Sequence, residues 1–240
     1  MDISKATKVA RKALPLKYCG AVIVAAGNAS RMGGIDKVMA SIGGEPMIVR
    51  TVRTFQQCDA IDEIVIVTRQ DLVGKISDLC HDFNKVRAVI VGGSSRQESV
   101  GNGLQALSDK VKLAAIHDGA RPMVTLEVID RSVRAAHTYG AAAPAIPVKD
   151  TIKVAQGGII QTTPDRSTLY AGQTPQVFDI DLLKGALAKV KKDNAEVTDD
   201  CAAVERMGMS VRLVQGDERN IKVTTPLDLK IAELFLEEMP

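Results

Sequence analysis

Along most of this chain, short apolar runs alternate with stretches whose apolar residues recur at helical spacing. The first run, Ala21-Val-Ile-Val-Ala25, is too brief to cross a membrane and stops at Gly27, so it predicts a buried strand. Met47, Ile48, Val52 and Phe55 then recur at helical spacing within 45–58, before Glu63-Ile-Val-Ile-Val-Thr68 predicts the next strand. The alternation continues with a helix over 71–80, a strand over 86–91, a helix over 97–107, a strand over 113–117 and a helix over 126–137. Strands and helices taking turns in this way predict an α/β fold, with helices flanking a mostly parallel, doubly wound sheet.

After residue 140 the pattern changes. Ala141-Ala-Ala-Pro-Ala-Ile146 enters the sheet only near an edge or a bend, because Pro144 has no N–H to give. Two β-prone runs, 151–155 and 159–163, flank Gly157-Gly158 and predict a hairpin that projects from the main sheet. Its strand edges need cover, and a second copy of the chain is one way to supply it. Helices over 180–191, 199–207 and 226–236 and a strand over 211–214 complete the reading, with no internal repeat or linker.

Composition narrows the function classes. At 240 residues and 45% hydrophobic, the chain can bury the core of one α/β domain. We expect a domain over 19–240, with a projecting arm at about 147–168, after an N-terminal extension over 1–18 read as a short amphipathic helix or a tail. Thirty-one basic side chains against 29 acidic leave a formal charge of +2, so general attraction to nucleic acid or to an anionic membrane is not expected. Tryptophan is absent and aromatics make up 3%, which leaves little to stack on bases. Cys19, Cys58, Cys80 and Cys201 are scattered without metal-ligand spacing, and the first 17 residues lack the apolar run of a secretory signal. These features point to a cytoplasmic protein.

A doubly wound sheet binds ligands beyond the carboxyl ends of its strands, so the chemistry is sought there. Residues 25–37, Ala-Ala-Gly-Asn-Ala-Ser-Arg-Met-Gly-Gly-Ile-Asp-Lys, follow the first strand. Small residues let backbone N–H groups approach phosphate oxygens while Arg31 and Lys37 neutralise them, although an ordinary strand-to-helix loop with surface charges fits this segment almost as well. The loop is neither a Walker A loop nor a dinucleotide fingerprint. Val91-Gly-Gly-Ser-Ser-Arg-Gln-Glu-Ser99 can offer backbone groups to a base edge, and turn chemistry explains it equally well. In His117-Asp-Gly-Ala-Arg-Pro122, Asp118 is suited to a magnesium ion bridging triphosphate oxygens; the alternative is a structural pair with Arg121. Arg166, Gln173-Thr-Pro-Gln176, Thr198-Asp-Asp200 and Asn220-Ile-Lys222 form a late polar group, with Thr198 read as a helix N-cap and the two acids as first-turn residues. Arg166 and Lys222 suit a phosphorylated second substrate.

Taken in order, AAGNASRMGGIDK, GGSSRQESVGNGL, HDGARP, DTIK, QTPQVF, TDD and GDERNIKVTTPLDL resemble the motifs of the 2-C-methyl-D-erythritol 4-phosphate cytidylyltransferase family. The resemblance runs from Ala21 nearly to the C-terminus. It implies a Rossmann-like nucleotidyltransferase fold with a protruding β-hairpin arm and a homodimer joined through the arms. It also implies magnesium-dependent transfer of CMP from CTP to 2-C-methyl-D-erythritol 4-phosphate, with release of pyrophosphate, in non-mevalonate isoprenoid biosynthesis. By position, Arg31, Lys37 and Lys222 match catalytic residues, and Ala25, Ala26, Gly27, Asn28, Ala29, Gly93, Ser99 and Gly119 match nucleotide-binding positions. Asp118 matches the magnesium-associated aspartate, while Thr151, Arg166, Thr198 and Lys222 match contacts to the sugar phosphate. The chain departs from many relatives at Ala29 and at Asp36 and Val38, on either side of Lys37. Two rival readings are a cytidylyltransferase for another polyol phosphate, such as ribitol 5-phosphate, and a catalytically silent nucleotide-binding scaffold.

Overall fold

A computed structural model describes residues 15–27 and 37–238. The apolar run after Tyr18 forms β1, Cys19–Ala25, and the next apolar segments form β4, Glu63–Thr68, β5, Val86–Val91, and β6, Leu113–Asp118. These four strands are parallel neighbours in the order β5-β4-β1-β6. The chain leaves β1 toward β4 on one side and later returns to β6 on the other, so the order reverses between β1 and β6 and opens a crevice at their carboxyl ends.

Side-chain alternation explains why the sheet is covered on both faces. Ala21, Ile23, Ile64 and Ile66 join one core cluster with Val52 and Phe55 of the Met47–Gln57 helix. Val22, Val65 and Val67 point the other way, toward Val100 and Leu104 of the Arg96–Ala106 helix and Leu183 of the Ile180–Lys192 helix. Each fully buried aliphatic side chain contributes about 1.5–3 kcal/mol of transfer free energy. Both faces of a strand are therefore apolar, which is why the strands read as continuous runs. A third, smaller cluster packs β2, Ser41–Ile42, which pairs with β3, Glu45–Pro46, against Val223 and the Pro226–Glu237 helix. That helix starts in a capping box, Thr225 with Asp228, and has proline in its first turn. No helix among the described residues is long and apolar enough to cross a membrane.

The second half of the sheet departs from the expected pattern. β11, Gln176–Asp179, lies between β6 and β7, Ala141–Pro147, and is antiparallel to both. β10, Tyr170–Gly172, pairs antiparallel with the far part of β7, and β12, Arg212–Gln215, pairs parallel with it. The sequence reading treated 173–176 as polar site residues and missed both β10 and β11, because each is only a few residues long and Pro175 interrupts the pattern. β7 is thus an interior strand, not an edge. The proline is tolerated because the Pro144 carbonyl accepts from the Gln173 N–H, where the facing chain passes from β10 to β11. The missing donor of Pro144 falls at that break, which is the bend alternative of the sequence reading.

The expected hairpin is present as β8, Val154–Gln156, and β9, Ile159–Thr162, in a two-stranded sheet of its own. Its first strand is shorter than the 151–155 expected. Gly157 and Gly158 both take positive φ, 58° and 80°, as a two-residue hairpin turn of the primed type requires. Residues 151–163 are all exposed.

Phe178 of β11 is fully buried between the helices of the second cluster. Phe178→Ala is expected to cost about 3–5 kcal/mol in denaturant unfolding; a loss below about 1 kcal/mol would mean that β11 is not the central strand described.

Candidate active site

The crevice at the β1–β6 switch point is a cavity of about 530 Å³, within the range typical of small-molecule sites. Ala25, Ala26 and Gly27 form one wall, Gly92 to Arg96 and Ser99 another, and Asp118 and Lys222 lie at the side where β6 ends. The walls are built from backbone as much as from side chains. The Gly92 N–H donates to the Thr68 carbonyl, which carries the loop directly on from the sheet. A β-carbon on Gly92 would lie 2.5 Å from that of Ala26, so glycine is what lets these two walls approach.

Local hydrogen bonds fix the Gly93 turn. The Ser99 hydroxyl accepts from the Gly93 N–H at 3.0 Å and donates to the Ser95 carbonyl at 2.9 Å. Ser99 therefore shapes the loop that lines the cavity. Ser95 caps the Arg96–Ala106 helix by accepting from the Glu98 N–H, while the Glu98 carboxylate accepts from both the N–H and the hydroxyl of Ser94. Gly119 sits behind the wall, its N–H donating to the Val24 carbonyl, where it joins the ends of β1 and β6.

At the charged end, Lys222 Nζ is 2.8 Å from Asp118 Oδ2. Arg121 Nε is 3.8 Å from the same oxygen, and Arg96 is 3.8 Å from Oδ1. Burial pushes the Asp118 carboxyl up, but Lys222, Arg96 and Arg121 outweigh it and hold its pKa below the ordinary carboxylate value. Asp118 thus stays ionised, and the Arg121 pairing considered in the sequence reading is one of three cation contacts. Burial lowers the pKa of Arg121 itself.

Arg96 was quoted in the sequence reading only as part of a glycine-rich turn. Its guanidinium also lies 2.7 Å from Asp200, whose side chain is 1% exposed. Burial raises the Asp200 pKa against the lowering effect of Arg96, whereas the neighbouring carboxylates raise that of Arg96 against its own burial. Asp199 and Asp200 were expected in the first turn of a helix capped by Thr198. Asp200 is a first-turn residue and its side chain is buried, but Asp199, and not Thr198, caps the Asp200–Glu205 helix. The signal available in the sequence was that Arg96 is the only cation in the run from Val91 to Ser99.

The residues that hold this end together are polar and buried. Thr174 Oγ accepts from the Asp118 N–H at 3.1 Å and contacts His117 Nδ1 at 3.0 Å. Its one proton then goes to Nδ1, so His117 carries its proton on Nε2, which faces the Arg121 carbonyl at 3.3 Å. His117 is a structural residue. Arg121 donates to the Asn220 carbonyl at 2.6 Å, the Val223 N–H donates to the Ala120 carbonyl, and the Asn220 side chain donates to the Thr174 carbonyl. These bonds stitch the segment carrying Lys222 to the end of β6.

Of the residues expected to bind, the structure brings Ala25, Ala26, Gly27, Gly93, Ser99, Asp118 and Lys222 to one cavity. Thr151 and Arg166 belong to the projecting arm and its base, where Arg166 donates to the Lys149 carbonyl. Thr198 is exposed just before the Asp200–Glu205 helix; none of these three lines the cavity. Lys37 opens a short 3-10 helix. Asn28, Ala29 and Arg31, and residues 1–14 of the N-terminal extension, lie outside the described residues.

A family model described as 2-C-methyl-D-erythritol 4-phosphate cytidylyltransferase matches residues 19–238. A protein of that name from Caldanaerobacter subterraneus subsp. tengcongensis is 44% identical over 227 residues, covering 91% of this chain and 98% of its own length. Another from Geobacillus kaustophilus is 45% identical over 219 residues, covering 90% and 96%. The crystal structure of 4-diphosphocytidyl-2C-methyl-D-erythritol synthase from Anaerococcus prevotii superposes with a TM-score of 0.84 at 31% identity, over 92% of this chain and 96% of that one.

Burial pushes the His117 pKa down to about 3, whereas an unfolded histidine titrates near 6.5. Between these values the unfolded chain binds one proton more than the folded one. Stability that is fully present above about pH 6.5 therefore falls on acidification, by up to about 1.4 kcal/mol per pH unit from this group. Urea unfolding from pH 7 to pH 4.5 is expected to show a shallower slope for His117→Gln than for the unsubstituted protein. Equal slopes would remove His117 as the source.

Proposed function

The chain belongs to the 2-C-methyl-D-erythritol 4-phosphate cytidylyltransferase family, and on that premise we propose that its cavity binds CTP and that 2-C-methyl-D-erythritol 4-phosphate accepts the CMP group there. As a member it is a nucleotidyltransferase of isoprenoid biosynthesis. The observation that carries the assignment to this cavity is the Asp118–Lys222 pair at the sheet's switch point, facing walls of small residues whose backbone can approach a nucleotide.

The substrate phosphate oxygen attacks the α-phosphorus of CTP in line, forming a new P–O bond as the bond to pyrophosphate breaks. Such a transfer needs no side-chain nucleophile; it needs two anions to be positioned and their charge offset. In our reading Ala25, Ala26, Gly27, Asn28, Ala29, Gly93 and Gly119 form the nucleotide cradle, with Ser99 setting the turn. Arg31 and Lys37 offset the charge that develops on the reacting phosphates, and Lys222 serves the incoming phosphate. Magnesium fits the site in one way only. Among the described residues, no three His, Cys, Asp or Glu side chains gather to hold a metal. Asp118, kept ionised at the edge of the cavity, would hold the ion. When bound, the ion neutralises triphosphate oxygens.

Thr151, Arg166 and Thr198 are assigned to the sugar phosphate, with Thr151 and Arg166 acting across a homodimer. What supports this is the arm: its two strands pair only with each other, and Val154, Ile159 and Ile160 are 47%, 69% and 59% exposed. Open edges and exposed aliphatics on a projecting hairpin call for a partner, and a second copy related by a twofold axis supplies one. Four free, buried thiols and phosphorylated substrates support a cytoplasmic setting.

Purified protein mixed with CTP, 2-C-methyl-D-erythritol 4-phosphate and magnesium is expected to release pyrophosphate, with little release when ATP replaces CTP or ribitol 5-phosphate replaces the acceptor. Turnover with ribitol 5-phosphate alone would reassign the substrate, and none with any polyol phosphate would leave a binding scaffold. In the same assay Lys37→Ala is expected to lower mainly kcat, by about 100-fold or more, because its contact strengthens in the transition state. Arg166→Ala is expected chiefly to raise the KM for the acceptor. Small and equal effects of both would remove these roles.

A further inference from the structure

Arg96 stands between two carboxylates, 2.7 Å from Asp200 and 3.8 Å from Asp118. The two differ in what else serves them. Asp118 already has Lys222 at 2.8 Å. Asp200 is almost completely buried, and neither of its oxygens receives a well-aligned hydrogen bond. The nearby helix N–H groups are engaged elsewhere: those of Asp200 and Cys201 donate to Gln176 Oε1, and that of Ala202 donates to Asp199. Among the described residues, Arg96 is the ion-pair partner of Asp200. A buried carboxylate left without its cation is strongly unfavourable, so the guanidinium is held on Asp200. The register of the two segments is fixed independently, because Gln97 Nε2 donates to the Val197 carbonyl at 2.9 Å.

We infer that Asp200 is a positioning residue, which holds the Arg96 guanidinium away from Asp118 and so leaves Asp118 paired with Lys222 at the edge of the nucleotide cavity. The inference rests on the cytidylyltransferase reading of that cavity. Neutralising Asp200 makes Asp118 the nearest charged partner for Arg96, and closing 3.8 Å to a hydrogen bond needs only a side-chain rotation. Arg96 would then occupy Oδ1 while Lys222 holds Oδ2, drawing the Asp118 charge away from Lys222 and the cavity. Removing Arg96 as well takes away that second close cation.

The test compares Asp200→Asn, Arg96→Gln and the double variant by crystallography and by steady-state kinetics with CTP as the varied substrate. In Asp200→Asn the guanidinium is expected within about 3 Å of Asp118, with kcat/KM for CTP lowered about tenfold. The double variant is expected to recover most of that loss, because the collapse requires the guanidinium. A role confined to folding gives the same recovery, because the double variant also removes the unpaired buried charge, but it leaves the guanidinium of Asp200→Asn away from Asp118, so the crystal structure separates the two. A guanidinium that stays beside residue 200, or a double variant as poor as the product of the two single losses, overturns the inference. If Asp200→Asn does not fold because Arg96 is left unpaired, the neutral double variant decides by itself: activity well above that of Arg96→Gln combined with a further tenfold loss supports the inference, and activity at or below that level overturns it. An unsubstituted protein that releases no pyrophosphate from CTP would instead overturn the activity reading, and the Arg96–Asp118 distance in the Asp200→Asn crystal would still decide this one.

Discussion

The hydroxyl of Thr174 is the joint on which the rest of the site depends. It accepts from the Asp118 N–H and donates to His117 Nδ1, which ends β6 in a fixed direction. The Thr174 carbonyl meanwhile takes the Asn220 amide, and the Asn220 carbonyl takes Arg121. Three stretches distant in sequence are thereby closed onto one another. In a low-dielectric setting each of these bonds matters more than it would in water, and a missing partner costs more. The consequence for chemistry is that the segment carrying Lys222, which has no regular structure, is tied to the end of β6 and sets Nζ 2.8 Å from Asp118.

Electrostatics within the site follow from the same closure. The chain as a whole is nearly neutral, at +2, yet Arg96, Arg121 and Lys222 converge on Asp118 within 4 Å. Asp200 balances part of that charge from below the surface. On the proposed reading, a site for two anionic substrates needs excess positive charge when filled, but that charge repels itself when the site is empty. The two buried carboxylates reduce this repulsion, and the small residues on the opposite walls leave room for phosphate and base. Burial, and not the count of charges, gives these groups their strength.

Most of the parallel half of the sheet was legible in the sequence because β1, β4 and β6 are buried on both faces and read as largely apolar runs, with β5 at the edge. Val22 and Ile23 go to opposite cores, and the sequence needs no partner to announce that. β10 and β11 were not legible. Gln176 and Gln173 look like site residues because they are polar, whereas their side chains tie Asp199, Asp200 and Asp217 to the sheet. Polarity in a sequence does not distinguish a group that faces a ligand from one that satisfies buried backbone. Ser99 lines the cavity while its hydroxyl is engaged within the turn, the turn chemistry that its segment allowed from the start.

By itself the sequence determined the α/β alternation, the double-glycine hairpin, and the motifs that place the chain in its family, since each is carried by local pattern or by residue order. Asp118 and Lys222 were also named from it, but not their pairing. Only the tertiary structure decided that β11 runs antiparallel through the middle of the sheet, that Asp199 and not Thr198 caps its helix, and that Asp200 turns inward to Arg96. The physical reason is range. Periodicity and capping are set by neighbours within a few residues, whereas an ion pair between positions 96 and 200 exists only after burial has brought the two segments together and removed the water that would otherwise solvate each charge.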